Sequence, residues 1–169
     1  MFKTRYLEKY ILDDLKQKMV FIGGPRQVGK TTLAKHAGSN IYKTRTYLNW
    51  DDAVDRDLVL HGRFPSDTDL IIFDEIHKYR LWKNLVKGIY DTRKELFKII
   101  VTGSARLDVY RRGGDSMQGR YHYHRLHPFS LRESLGKEWA VEPFQELPFL
   151  PDENLDKNKV EETICRCGY

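Results

Sequence analysis

Gly24-Pro25-Arg26-Gln27-Val28-Gly29-Lys30-Thr31 matches G-x-x-x-x-G-K-[ST] at every fixed position. Its flanks fit the setting in which that pattern cradles phosphates. Met19-Val20-Phe21-Ile22 is a short apolar run with the length of a buried strand, and Thr31-Thr32-Leu33-Ala34-Lys35-His36 can open a helix. Gly24 and Gly29 tolerate backbone angles that a β-carbon forbids, so successive N–H groups can turn toward one anion. The helix start adds unpaired N–H groups and the positive end of its dipole. The pattern therefore assigns Gly24, Pro25, Arg26, Gln27, Val28, Gly29, Lys30, Thr31 and Thr32 to a nucleoside triphosphate. Lys30 is expected on the β- and γ-phosphates and the Thr31 hydroxyl on Mg²⁺.

A second signal lies downstream. Leu70-Ile71-Ile72-Phe73 is a continuous apolar run, as in a central parallel strand covered on both faces, and it ends in Asp74-Glu75. An acid at the end of such a strand can hold Mg²⁺ through its water shell, which assigns Asp74 to the metal beside Thr31. Glu75 is then expected to polarise the water that attacks the γ-phosphorus. A third apolar run, Phe97 to Val101, ends in Thr102-Gly103-Ser104. A polar side chain there can contact the attacking water or the γ-phosphate. Thr102 or Ser104 could serve, and the spacing does not choose between them.

From Ala105 to Lys137 there are seven Lys or Arg against three acids. Arg120 in this stretch stands where an arginine finger would project toward a γ-phosphate, often that of a neighbouring subunit; such a finger is commonly worth ~10³ to 10⁵ in rate. A solvated basic face and contact with DNA phosphates are the other readings of the same charges. His122, His124 and His127 lack a nearby acid or cysteine to complete a metal set and read as strand-face histidines, with Tyr121 and Tyr123 packing on the opposite face.

Around these signals the chain alternates strands and helices. Leu7, Ile11, Leu12 and Leu15 have helical spacing within residues 5–18. Thr46 to Trp50 reads as a strand and Ala53 to Leu60 as a helix closed by Gly62. Residues 82–96 are helical in composition, Tyr121 to Leu126 reads as a fifth strand, and Phe129 to Leu135 as a last short helix. This order predicts right-handed βαβ units and a mainly parallel five-stranded sheet, with ligands at the carboxyl ends of the strands. The 169 residues suffice for one domain with a core, and the composition, 31% charged and 40% hydrophobic, is that of a soluble globular protein with net charge +5. No run reaches the ~18 apolar residues of a membrane helix. Two cysteines one residue apart, Cys165 and Cys167, indicate a reducing compartment, and the cytoplasm is the expected location.

The motifs together resemble those of the prokaryotic AAA+-like ATPases: the Gly23 to Thr32 loop, Leu70 to Lys78 with its Asp-Glu-Ile-His, and Thr102-Gly103-Ser104-Ala105. Gly119-Arg120 followed by Leu126-His127-Pro128-Phe129-Ser130-Leu131-Arg132-Glu133 belongs to the same series. The resemblance covers roughly residues 5–135. It implies a three-layer α/β P-loop NTPase core that binds ATP with Mg²⁺ and hydrolyses it to ADP and phosphate. Where the family has a second Ser after Gly103-Ser104, this chain has Ala105. Full-length members continue into further helical parts and a C-terminal domain of unknown function, which the stretch ending Cys165-Arg166-Cys167-Gly168-Tyr169 does not resemble. The expected organisation is an ATPase domain over 1–140 and an irregular, truncated tail over 141–169, with a homo-oligomer, DNA or a protein as further partners. A nucleotide-binding switch or DNA-associated module with negligible catalysis is the alternative. A small-molecule kinase is disfavoured by Glu75 and by the lack of a recognisable acceptor segment.

Overall fold

The computed structural model describes residues 5–104, 107 and 117–134. They belong to two compact units, Leu7–Pro128 and a second formed by Met1–Tyr6 with Phe129–Tyr169. The expected tail over 141–169, the boundary at 140 and the two cysteines lie outside the described residues.

In the first unit the chain order is α1 (Leu7–Leu15), β1 (Met19–Gly23), α2 (Lys30–His36), β2 (Arg45–Asn49), α3 (Ala53–His61) and β3 (Leu70–Asp74). A 3-10 turn at Ile76–Lys78 leads to α4 (Trp82–Arg93), β4 (Lys98–Thr102) and β5 (Tyr121–Arg125). Local chemistry sets several of these limits. Asp52 caps α3 by accepting hydrogen bonds from the N–H groups of Val54 and Asp55, and Gly62 ends it with φ 62°. The helix expected to reach residue 96 stops at Arg93, because Leu96 N–H turns back to the Arg93 carbonyl.

All neighbouring strands are parallel, in the order β2-β3-β4-β1-β5. Alternation along each strand divides the core into two layers. Met19, Phe21, Ile71, Phe73, Ile99 and Val101 face one side, where Val59 of α3 and Trp82, Val86 and Ile89 of α4 cover them. Val20, Ile22, Leu70, Ile72 and Ile100 face the other, under Leu7, Ile11 and Leu15 of α1 and Leu33 and Ala34 of α2. At roughly 1.5–3 kcal/mol for each large side chain taken from water, these two layers dominate the driving force for the fold. Register then brings one row of residues together at the carboxyl end of the sheet. Asn49 pairs with Asp74, Asp74 with Thr102, Thr102 with Ile22, and Ile22 with His124.

In the second unit, Leu131–Ser134 form a short helix, α5. Ser130 and Glu133 cap it reciprocally: Glu133 N–H donates to Ser130 Oγ, and Ser130 N–H donates to Glu133 Oε2 at 2.9 Å. Arg5 Nε donates to Glu133 Oε1 at 2.9 Å, with both side chains almost fully buried. The Arg5 guanidinium also lies 4.1 Å from the Phe129 ring centre.

Candidate nucleotide site

The segment from Gly24 to Gly29 joins the end of β1 to α2. Gly24, Gln27 and Gly29 have φ of 150°, 65° and 87°. Gly24 is also fixed by space, since a β-carbon there would stand 2.3 Å from the Leu126 carbonyl oxygen. Pro25, Arg26 and Gln27 are exposed, whereas Val28 turns into the α1/α2 layer of the core. No side chain caps α2, so its first-turn N–H groups are left for another acceptor. Lys30 is buried, and its Nζ donates to the Pro25 carbonyl at 2.5 Å. Burial holds its pKa below the lysine value of 10.5, against the opposing pull of Glu75 and Asp74. Thr32 is exposed on the first turn of α2.

Asp74 is 6% exposed and closes β3 beneath this loop. Its carboxylate gathers hydroxyls from three elements. Thr31 Oγ1 donates to Oδ2 at 2.8 Å, Tyr47 Oη donates to the same oxygen at 2.8 Å, and Thr102 Oγ1 donates to Oδ1. Parity explains the gathering: Tyr47, Asp74 and Thr102 all project to the face on which α2 lies. Tyr47 was invisible to sequence reasoning, because a tyrosine in a strand looks like packing until its register with β3 is known.

Glu75 follows with φ 57°, and its N–H donates to the Thr102 carbonyl at 3.1 Å. Its carboxylate lies 3.4 Å from Lys78 Nζ and 3.8 Å from His77 Nε2. Lys78 also bonds Asp51, at the turn after β2. Ser104 Oγ lies 3.2 Å from His77 Nε2. The two residues left as alternatives by the sequence thus differ in place: Thr102 is on Asp74, and Ser104 is on His77. Gly103 between them allows the approach, for a β-carbon there would meet His77 Nδ1 at 2.6 Å.

Arg120 stands immediately before β5, away from the glycine loop. Its carbonyl accepts from Met19 N–H, at the amino end of β1, so it lies at the opposite end of a five-residue strand from the loop, on the order of 15 Å away. Its guanidinium pairs with Asp91 of α4 at 2.7 and 3.1 Å. A finger directed at the chain's own phosphate loop is excluded by this position. His122 and His124 do share a strand face, and the acid missing from their neighbourhood in sequence arrives from α1: His124 Nε2 lies 2.7 Å from Asp14 Oδ2. Tyr121 stacks on Phe21 with 4.4 Å between ring centres, and Tyr123 packs against the same layer. Among the described residues, no group of three His, Cys, Asp or Glu could hold a metal by itself, and no helix is long and apolar enough to cross a membrane.

A parallel sheet in this order, with a glycine loop between β1 and the first helix behind it, defines a three-layer α/β P-loop NTPase core of the AAA+-like kind. The family model described as "AAA domain" matches residues 16–135, and the chain belongs to that family. No curated protein matches it. Among solved structures it is similar to the Thermotoga maritima RuvB Holliday junction branch migration motor, with TM-score 0.51 and 20% identity over 75% of this chain and 46% of that one. A point mutant of that motor gives TM-score 0.50 and 17% identity, over 75% and 46%. Bacteroides Pif1 bound to ssDNA gives 0.46 and 14% identity, over 75% and 42%. The chain therefore spans less than half the length of these proteins, and the likeness to the motor is one of fold.

Proposed function

We propose that the chain binds ATP with Mg²⁺ and hydrolyses it to ADP and phosphate. The observation that carries this reading is the 2.8 Å bond between Thr31, one residue into the helix after the glycine loop, and Asp74 at the end of β3. A hydroxyl and a carboxylate form a hard, all-oxygen pair, and magnesium, which keeps most of its waters, needs few protein ligands. Bound there, the metal would neutralise charge on the β- and γ-phosphates. Lys30 would exchange the Pro25 carbonyl for those phosphates. Glu75 would hold the attacking water and take its proton, with Thr102 or Ser104 sensing the γ-phosphate. Arg120 could act only on a neighbouring copy's nucleotide, in a homo-oligomer, after leaving Asp91. DNA or protein partners belong to the same proposal, with a cytoplasmic location.

The second reading, a nucleotide-binding switch with negligible catalysis, is favoured by the 3.4 Å contact of Glu75 with Lys78, which occupies the base. Phosphate release measured beside ATP binding separates the two. The Glu75→Gln variant is expected to bind ATP as the parent does and to lose about 10² to 10⁴ in turnover. Equal turnover in both proteins would contradict the role of Glu75, and a parent that binds without releasing phosphate would favour the switch.

A further inference from the structure

Tyr47 has no part in the steps above, yet it is built into their centre. Its hydroxyl shares Asp74 Oδ2 with Thr31, while Thr102 holds Oδ1. A carboxylate offers about four acceptor sites, and three are filled by hydroxyls carried on β2, α2 and β4. The ring of Tyr47 lies under the Lys35 ammonium, 3.4 Å from its centre. A cation over the π-face draws electron density from the ring and makes the phenol a better donor.

We propose that Tyr47 is a positioning residue for magnesium: by donating to Asp74 Oδ2 it fixes the carboxylate so that the remaining lone pair meets the metal's water shell. Without that bond, Asp74 is oriented by Thr31 and Thr102 alone, and Thr31 is the group whose oxygen the metal also needs. Tyr47 thus supports the metal-dependent part of nucleotide binding and leaves the metal-free part alone. Outer partners of this kind typically alter metal affinity ~10- to 100-fold. The proposal rests on the ATP–magnesium reading of the site.

Tyr47→Phe removes the hydroxyl and keeps the ring beneath Lys35. Binding of a fluorescent ATP analogue is measured in EDTA and then across a magnesium titration, with the parent alongside and thermal melting as the check on folding. The variant should match the parent within about twofold in EDTA, and its magnesium midpoint should rise about tenfold. An unchanged midpoint, or an equal loss of affinity with and without magnesium, would overturn the proposal. A parent that binds the analogue with no magnesium effect would overturn it together with the metal half of the ATP reading, and a parent that binds nothing would overturn that reading entirely. If Tyr47→Phe does not fold, Lys35→Met carries the same test: its midpoint should rise about two- to fivefold, and no rise would overturn the proposal.

Discussion

Thr31 and Asp74 stand 43 residues apart in the chain and are joined at 2.8 Å, hydroxyl to carboxylate, across the boundary between α2 and β3. That bond ties the glycine loop to the centre of the sheet. Replacing Thr31 by Ala removes it together with the proposed metal ligand, while Tyr47 and Thr102 still hold Asp74. ATP binding in EDTA should survive this change, and the stimulation of binding by magnesium should fall at least tenfold. Isothermal titration with and without magnesium checks the split.

Gly24→Ala should act through the backbone. The new β-carbon meets a carbonyl oxygen at 2.3 Å, and φ of 150° is a region that side chains rarely adopt. A strained backbone position costs about 1–3 kcal/mol, and the loop must move away from Leu126 to relieve it. The expected outcome is a folded protein with a lowered melting temperature and no measurable ATP affinity. Unaltered affinity would show that the loop's contact with Leu126 is dispensable.

Stability should fall in acid through Glu133. Burial raises its pKa, but the Ser130 N–H, the Arg5 side chain and the Tyr6 N–H outweigh this and bring it below the ordinary 4.5. A depressed carboxylate pKa contributes stability that is complete above 4.5 and is lost as pH falls through the lower, folded value. Melting temperature should therefore drop below about pH 4.5, and Glu133→Gln should flatten that part of the profile. Arg5→Met, which leaves the carboxylate buried without its cation, should cost about 3–5 kcal/mol at neutral pH.

The contrast between what the sequence foretold and what it hid follows the range of the interactions. The glycine loop and the Gly62 stop are local, so their residues announce them. The five strands were each visible, three of them as apolar runs, but their order was not, because the placing of β1 between β4 and β5 depends on pairings such as Ile22 with Thr102, 80 positions away. The separate places of Thr102, on Asp74, and Ser104, beside His77, follow from the same register. Tyr47, Lys78 and Asp14 escaped notice for one reason: each meets its partner only after distant segments are brought together. The position of Arg120 before a strand was legible, and its partner Asp91 and its distance from the chain's own loop were not.

Arg120→Ala should leave the turnover of dilute protein within about twofold of the parent, since a solvent-screened surface pair such as Arg120–Asp91 contributes little and the residue is remote from its own loop. Turnover measured across a concentration series decides whether it acts between copies. A loss that grows as the parent assembles and gains activity would assign it to a neighbour's nucleotide.

The central claim is that Gly24 to Thr31 binds a nucleoside triphosphate, and Lys30 tests it most directly. Its ammonium is buried against the Pro25 carbonyl and is held below its ordinary pKa by burial, an environment that phosphate oxygens would relieve. Equilibrium binding of ATP in the presence of magnesium should saturate with the parent chain and be abolished in Lys30→Ala, while the two proteins melt as equally cooperative folds. Equal ATP affinity in the folded Lys30→Ala variant would contradict the account.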